Sequence, residues 1–115
     1  FVCTSAMENS SNSLGEAMLL GVPCVTAMVG GIPSVFWDKK DGIGYPGYGD
    51  AIYQETADKE QRQADKLAEA VCTMWSDEEK MKGYCQAAYM HACESHNAQA
   101  NYQRLMEIYR EIIGK

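Results

Sequence analysis

The first 27 residues constrain the fold more than any other part of the chain. Phe1-Val-Cys-Thr-Ser5 is dominated by β-branched and aromatic residues and reads as the end of a buried strand. A polar, turn-forming loop runs from Ala6 to Asn12. Ser13 then stands as a helix N-cap, with Glu16 three residues on at the capping-box spacing. Leu14, Ala17, Met18 and Gly21 fall on one helical face, and Gly21 is placed to end the helix. After Pro23, Cys24-Val-Thr-Ala27 reads as a second short strand. Strand alternating with helix predicts an α/β fold built on an open parallel sheet. Two or three strands cannot complete such a sheet, because parallel sheets need both faces covered. Further strands are therefore expected upstream of Phe1, and the chain, which starts without Met, reads as a C-terminal fragment.

The pattern then changes twice. Val29-Gly-Gly-Ile-Pro33 is a tight glycine turn, and 38–49 is a glycine-rich surface loop with a short strand predicted near Ile43 to Tyr45. From Ala57 on, the periodicity is helical. Ala64, Leu67, Ala68, Val71 and Trp75 form one apolar stripe. Ser76 with Glu79 reads as a second capping box, opening a helix with Met81, Tyr84, Cys85, Ala88 and Ala92 inward. Asn97 caps a third helix with the stripe Tyr102, Leu105, Met106, Tyr109, Ile112 and Ile113, which reads as core.

Charge and cysteine content narrow the function. The net charge is -6, and a nucleic-acid or anionic-membrane surface wants clustered Lys and Arg instead. No apolar run approaches the ~20 residues that span a bilayer, and no signal peptide is recognisable. The five cysteines (Cys3, Cys24, Cys72, Cys85, Cys93) are odd in number, lack CxxC spacing and mostly sit beside apolar residues. A reduced, cytoplasmic setting with thiols acting as small core side chains is expected. No metal-ligand set is legible: His91 and Cys93 are too close to share a helix face, and His96 has no second ligand at a useful offset.

The candidate chemistry lies in Glu8-Asn-Ser-Ser-Asn-Ser-Leu-Gly-Glu16, where two carboxylates flank a predicted helix start. A helix N-terminus carries unpaired N–H groups and a partial positive charge, which suits a phosphate. Ligands of open α/β sheets bind outside the carboxyl ends of the strands, where this loop lies. Carboxylates would repel a phosphate but would accept from neighbouring hydroxyls, so a ligand carrying both groups fits. Blander readings stand beside this one. Glu16 could be only the partner of the Ser13 cap, Glu8 one exposed loop acid among many, and Gly30-Gly31 merely a turn.

Together, Glu8 through Ala27 and the Val29-Gly-Gly-Ile-Pro33 turn closely resemble the signature of family 4 glycosyltransferases, of the "glycosyl transferases group 1" type. The E-x7-E motif, the E-A-M-x-x-G-x-P helix-to-strand junction and the G-G-I-P turn match in order and spacing. Weaker matches continue through Asp41-Gly-Ile-Gly-Tyr45, Lys66-Leu-Ala-Glu-Ala-Val71 and Leu105-Met-Glu-Ile-Tyr109.

The resemblance implies a retaining enzyme of the GT-B fold, in which two Rossmann-like domains enclose a cleft. The chain would then be the C-terminal part of the nucleotide-sugar-binding domain, with 1–56 the donor-site part and 57–115 a helical tail. By the same resemblance, Glu8 lies against the donor sugar and the reacting face as the catalytic residue, and Glu16 binds the donor ribose. Asn9, Ser10, Ser11, Asn12, Ser13 and Leu14 surround the sugar and diphosphate, Gly30 and Gly31 shape the adjoining turn, and no metal or other cofactor is required. The implied substrate is a nucleotide diphosphate sugar, and the implied partner is an N-terminal acceptor domain of the same protein. The family's basic pair for the diphosphate lies upstream of the motif. The motif here reads Asn-Ser-Ser-Asn where many members have Pro or Gly-Phe-Gly, so donor preference could differ.

Other expectations follow. GT-B C-terminal helices cross back onto the N-terminal domain, so the last stripe is expected to lose part of its cover and to favour self-association of the chain. Membrane-surface association of the parent is a further option. Two alternatives stay open: an inactive binding or structural piece, and a GT-B-fold nucleotide-sugar epimerase.

Overall fold

The computed structural model describes residues 1–9, 11–54 and 57–114. Three parallel strands form one sheet in the order β1 (Val2–Cys3), β2 (Val25–Met28), β3 (Ile43–Pro46). Val2 pairs with Val25, and Val25 with Ile43. The β1–β2 crossover is helix α1 (Asn12–Leu19). It ends in a Schellman motif: the Val22 N–H donates to the Ala17 carbonyl, the Gly21 N–H donates to the Met18 carbonyl, and Gly21 has φ +70. The β2–β3 crossover contains only a 3-10 turn at Ile32–Ser34. Helices α2 (Lys59–Ser76), α3 (Glu78–Ser95) and α4 (Ala98–Ile113) complete the chain. This is the α/β architecture predicted, with helices after a short parallel sheet.

The sheet is covered on both faces, as parallel strands require. One core joins Cys3, Leu14, Ala17, Met18, Cys24, Ile32, Phe36, Ala88 and Ala92. The other joins Val25, Ala27 and Tyr45 to Ala70 and Met74 of α2, with Met81 and Tyr84 of α3 against it. α3 thus contributes to both cores, and its predicted inward residues are all at least half-buried.

Three local expectations shift. The α3 cap is Asp77, whose carboxylate accepts from the Lys80 N–H, while Ser76 remains in α2. The buried face of α2 is Leu67, Ala70, Val71 and Met74, whereas Ala64, Ala68 and Trp75 are exposed. Both stripes share Leu67 and Val71, and contact with β2 and β3 selects between them. Of the thiols read as core, Cys3 and Cys24 are buried but Cys72 and Cys93 are exposed.

α4 overturns the reading of its stripe as core and agrees with the expectation that the stripe loses cover. Asn97 caps it as predicted, accepting from the Ala100 N–H, yet none of its residues is buried. Tyr102, Leu105, Tyr109, Ile112 and Ile113 face solvent. The radius of gyration is 16.7 Å, against about 13 Å for a compact chain of this length.

A buried polar cluster secures the segment before β3. Asp41 is 1% exposed. Its Oδ2 accepts from the Trp37 N–H at 2.8 Å and meets His91 Nδ1 of α3 at 2.5 Å. The Trp37 and His91 rings stack with centroids 3.8 Å apart. His91 is therefore bound into the fold through a carboxylate that sequence spacing alone did not pair with it.

Candidate functional site

The loop between β1 and α1 leaves the carboxyl end of β1, and the Val29–Gly31 turn leaves the carboxyl end of β2. Parallel pairing brings both to one edge of the sheet. The Gly31 N–H donates to the Glu8 carbonyl at 2.9 Å. A Cβ at Gly30 would lie 1.7 Å from the Glu8 carbonyl oxygen, and one at Gly31 would lie 1.6 Å from that of Asn9. Gly30 also has φ +54, a conformation that favours glycine. The two glycines are therefore the floor on which the Glu8–Asn9 backbone rests. Ala6, Met7, Glu8, Asn9 and Gly30 line an open cleft of 570 Å³ above it.

Glu8 is half-buried, and its Oε1 accepts from the Ser5 hydroxyl at 2.9 Å. Ser5 was not among the predicted site residues, although the Ser-x-x-Glu spacing carried the signal. Asn9 is exposed on the cleft. Ser10 lies outside the described residues.

The N-cap of helix α1 lies two residues before the predicted one. Ser11, not Ser13, is the N-cap: it is buried, and its Oγ accepts from the Leu14 N–H at 3.1 Å. The Leu14 amide is thus already paired, and the Asn12 and Ser13 amides are the unpaired donors of the first turn among the described residues. Asn12 and Ser13 are exposed, whereas Leu14 is fully buried in the first core. Leu14, Ala17 and Met18 form the buried face of the helix. The shift has a consequence for Glu16. It stands beyond the first turn and is exposed, and its carboxylate has no hydrogen bond or ion pair among the described residues. The capping role weighed for it is not used, and its carboxylate is free to accept.

Among the described residues no group of three or more His, Cys, Asp or Glu side chains could hold a metal ion. No described helix is long and apolar enough to cross a membrane.

This arrangement can be set beside known proteins. No protein-family profile matches the chain. Over 112 residues it is 30% identical to alpha-maltose-1-phosphate synthase of Mycolicibacterium smegmatis (strain ATCC 700084 / mc(2)155), a match covering 97% of this chain and 27% of that protein. Its fold superposes on sucrose-phosphate synthase of Thermosynechococcus elongatus with a TM-score of 0.77 at 20% identity, covering 98% of this chain and 25% of the other. It superposes equally well on Anabaena Alr3699/HepE, solved in complex with UDP and glucose, with a TM-score of 0.76 at 22% identity over 96% of this chain and 26% of the other. The chain matches the C-terminal part of a GT-B glycosyltransferase of the group 1 type. It spans about a quarter of the length of these relatives. The partial Rossmann-like fold expected from the motif is therefore the fold observed.

Proposed function

We propose that this chain is the donor-binding part of a retaining, hexosyltransferase-type glycosyltransferase. The parent would move a sugar from a nucleotide diphosphate sugar to an acceptor hydroxyl. The observation that carries this reading is the clamped edge of the sheet, where Glu8 is fixed over Gly30-Gly31 on the same loop that leads to the open first turn of α1. In this reading the diphosphate takes the Asn12 and Ser13 amides, which a helix N-terminus offers to anions. Glu16 accepts from the ribose hydroxyls, and Glu8 lies against the sugar at the reacting centre. The UDP and glucose in the Anabaena neighbour are consistent with such a ligand.

Catalysis in this reading is mostly positioning of the donor and stabilisation of the departing diphosphate. It needs no resident metal. The remaining positive charge would come from a basic pair outside this chain, and the acceptor would bind a further domain of the parent. The five thiols suit a reduced cytoplasmic setting.

The test is the full-length protein carrying Glu8→Ala or Glu16→Ala. Glu8→Ala is expected to lower turnover by about a hundredfold, the scale of losing one preorganised contact to the reacting group. Glu16→Ala should instead raise the donor KM by roughly tenfold, the scale of a hydrogen bond to a charged group. Normal kinetics in both variants would sink the assignment.

A further inference from the structure

We propose that Ser5 is a positioning residue for Glu8, holding one oxygen of its carboxylate so that the other is presented to the sugar end of the donor. The inference rests on the donor-site reading above and assigns a role to a residue outside the E-x7-E motif.

A glutamate on a loop has three rotatable side-chain bonds and must lose that freedom to place an acceptor accurately. Here the backbone is already fixed, because the Gly31 N–H donates to the Glu8 carbonyl at 2.9 Å. The carboxylate is fixed separately by the Ser5 hydroxyl, which donates to Oε1 at 2.9 Å. No described residue donates to Oε2.

The direction of the Ser5 hydrogen is also determined. A serine hydroxyl has one hydrogen to give and two lone pairs. Cys3, buried at the end of β1, donates its thiol hydrogen to Ser5 Oγ at 3.6 Å. A thiol accepts only weakly, so the Ser5 hydrogen is committed to Glu8. The relay Cys3–Ser5–Glu8 therefore starts on a strand inside the core and ends on the cleft. Its base is braced from β3, where the Tyr45 hydroxyl donates to the Cys3 carbonyl at 3.2 Å. A site side chain held from a rigid element in this way keeps its geometry better than one left to a loop.

The experiment is calorimetry on the full-length protein with UDP-glucose and GDP-mannose, each beside its nucleoside diphosphate. Ser5→Ala is expected to weaken binding of the accepted nucleotide sugar by about tenfold, the scale of a hydrogen bond to a carboxylate. Affinity for the matching nucleoside diphosphate should stay within about twofold, because Ser5 acts only through Glu8. Ser5→Thr, which keeps the hydroxyl, should restore the sugar-dependent part. In a Glu8→Ala background, Ser5→Ala should cost nothing further. Equal weakening of nucleotide and nucleotide sugar would overturn the proposal and make Ser5 structural. Unchanged binding in Ser5→Ala, or a tenfold loss that persists without Glu8, would overturn it as well. If the unaltered protein binds neither nucleotide sugar, the donor-site reading itself fails, and that result is seen before any variant is made.

Discussion

The loop between β1 and α1 and the helix α4 invite opposite expectations and behave oppositely. The loop is polar and rich in turn formers, yet it is pinned by a backbone hydrogen bond, two glycine contacts and a side-chain cap. α4 carries a regular apolar stripe, yet no part of it is buried. Apolar periodicity reports that a helix can present an apolar face. It does not report that a partner for that face lies within the same stretch of chain. Conversely, a polar loop becomes rigid when its backbone groups find partners across the sheet, which no local pattern announces.

The sharpest way to break this contrast is Gly31→Ala. Its added methyl would lie 1.6 Å from the Asn9 carbonyl oxygen, a backbone atom that cannot swing aside. Displacing the loop should cost about 4 kcal/mol, at the upper end for overpacking. Urea unfolding would measure it, and donor binding should disappear with it. A loss below about 1 kcal/mol would mean the loop is not clamped as described.

A second, smaller effect comes from a thiol buried in the first core, beneath the clamped loop's own helix. Cys24 is fully buried, and burial raises its pKa from 9.0 to about 11. Below pH 9 the thiol is protonated in both the folded and unfolded chain, so it costs nothing. Between pH 9 and 11 only the unfolded thiol ionises, so stability falls as pH rises through that window. The loss should approach about 2 kcal/mol by pH 11. Cys24→Ala should flatten that part of the curve. Denaturant midpoints at pH 8, 9, 10 and 11 would decide.

The smallest effect is expected where the sequence pattern looks strongest. Leu105→Ala or Ile112→Ala in α4 should change the stability of this chain by less than about 0.5 kcal/mol, as for other exposed positions. Leu14→Ala in the first core should cost roughly 3 kcal/mol. A large loss from either α4 substitution, read by thermal unfolding at several concentrations, would show that α4 has found cover, for instance in a second copy.

Much of the site was legible because the relevant signals are local. Glu8, Glu16 and the Gly30-Gly31 turn stand in order along a short stretch, and the capping residues of a helix lie within one turn of its start. What escaped was set by packing. Of the two candidate caps, the buried Ser11 accepts from the Leu14 N–H while Ser13 is exposed. The choice of buried face on α2 depended on where β2 and β3 met it. Ser5 differed in kind, since its Ser-x-x-Glu spacing was visible but its partner depended on how the loop folds back.

By itself, the sequence determined the identity and order of the elements, the resemblance to glycosyltransferases and the pair of carboxylates around a helix start. Those rest on interactions between residues a few positions apart, so a linear reading reaches them. The tertiary structure alone decided that Glu16 is free of capping duty, that Ser5 holds Glu8, that Asp41 and His91 meet, and that α4 stands uncovered. Each of these follows from what lies across a sheet, over a glycine or beside a helix face. Such neighbours are set by the path of the whole chain rather than by spacing along it.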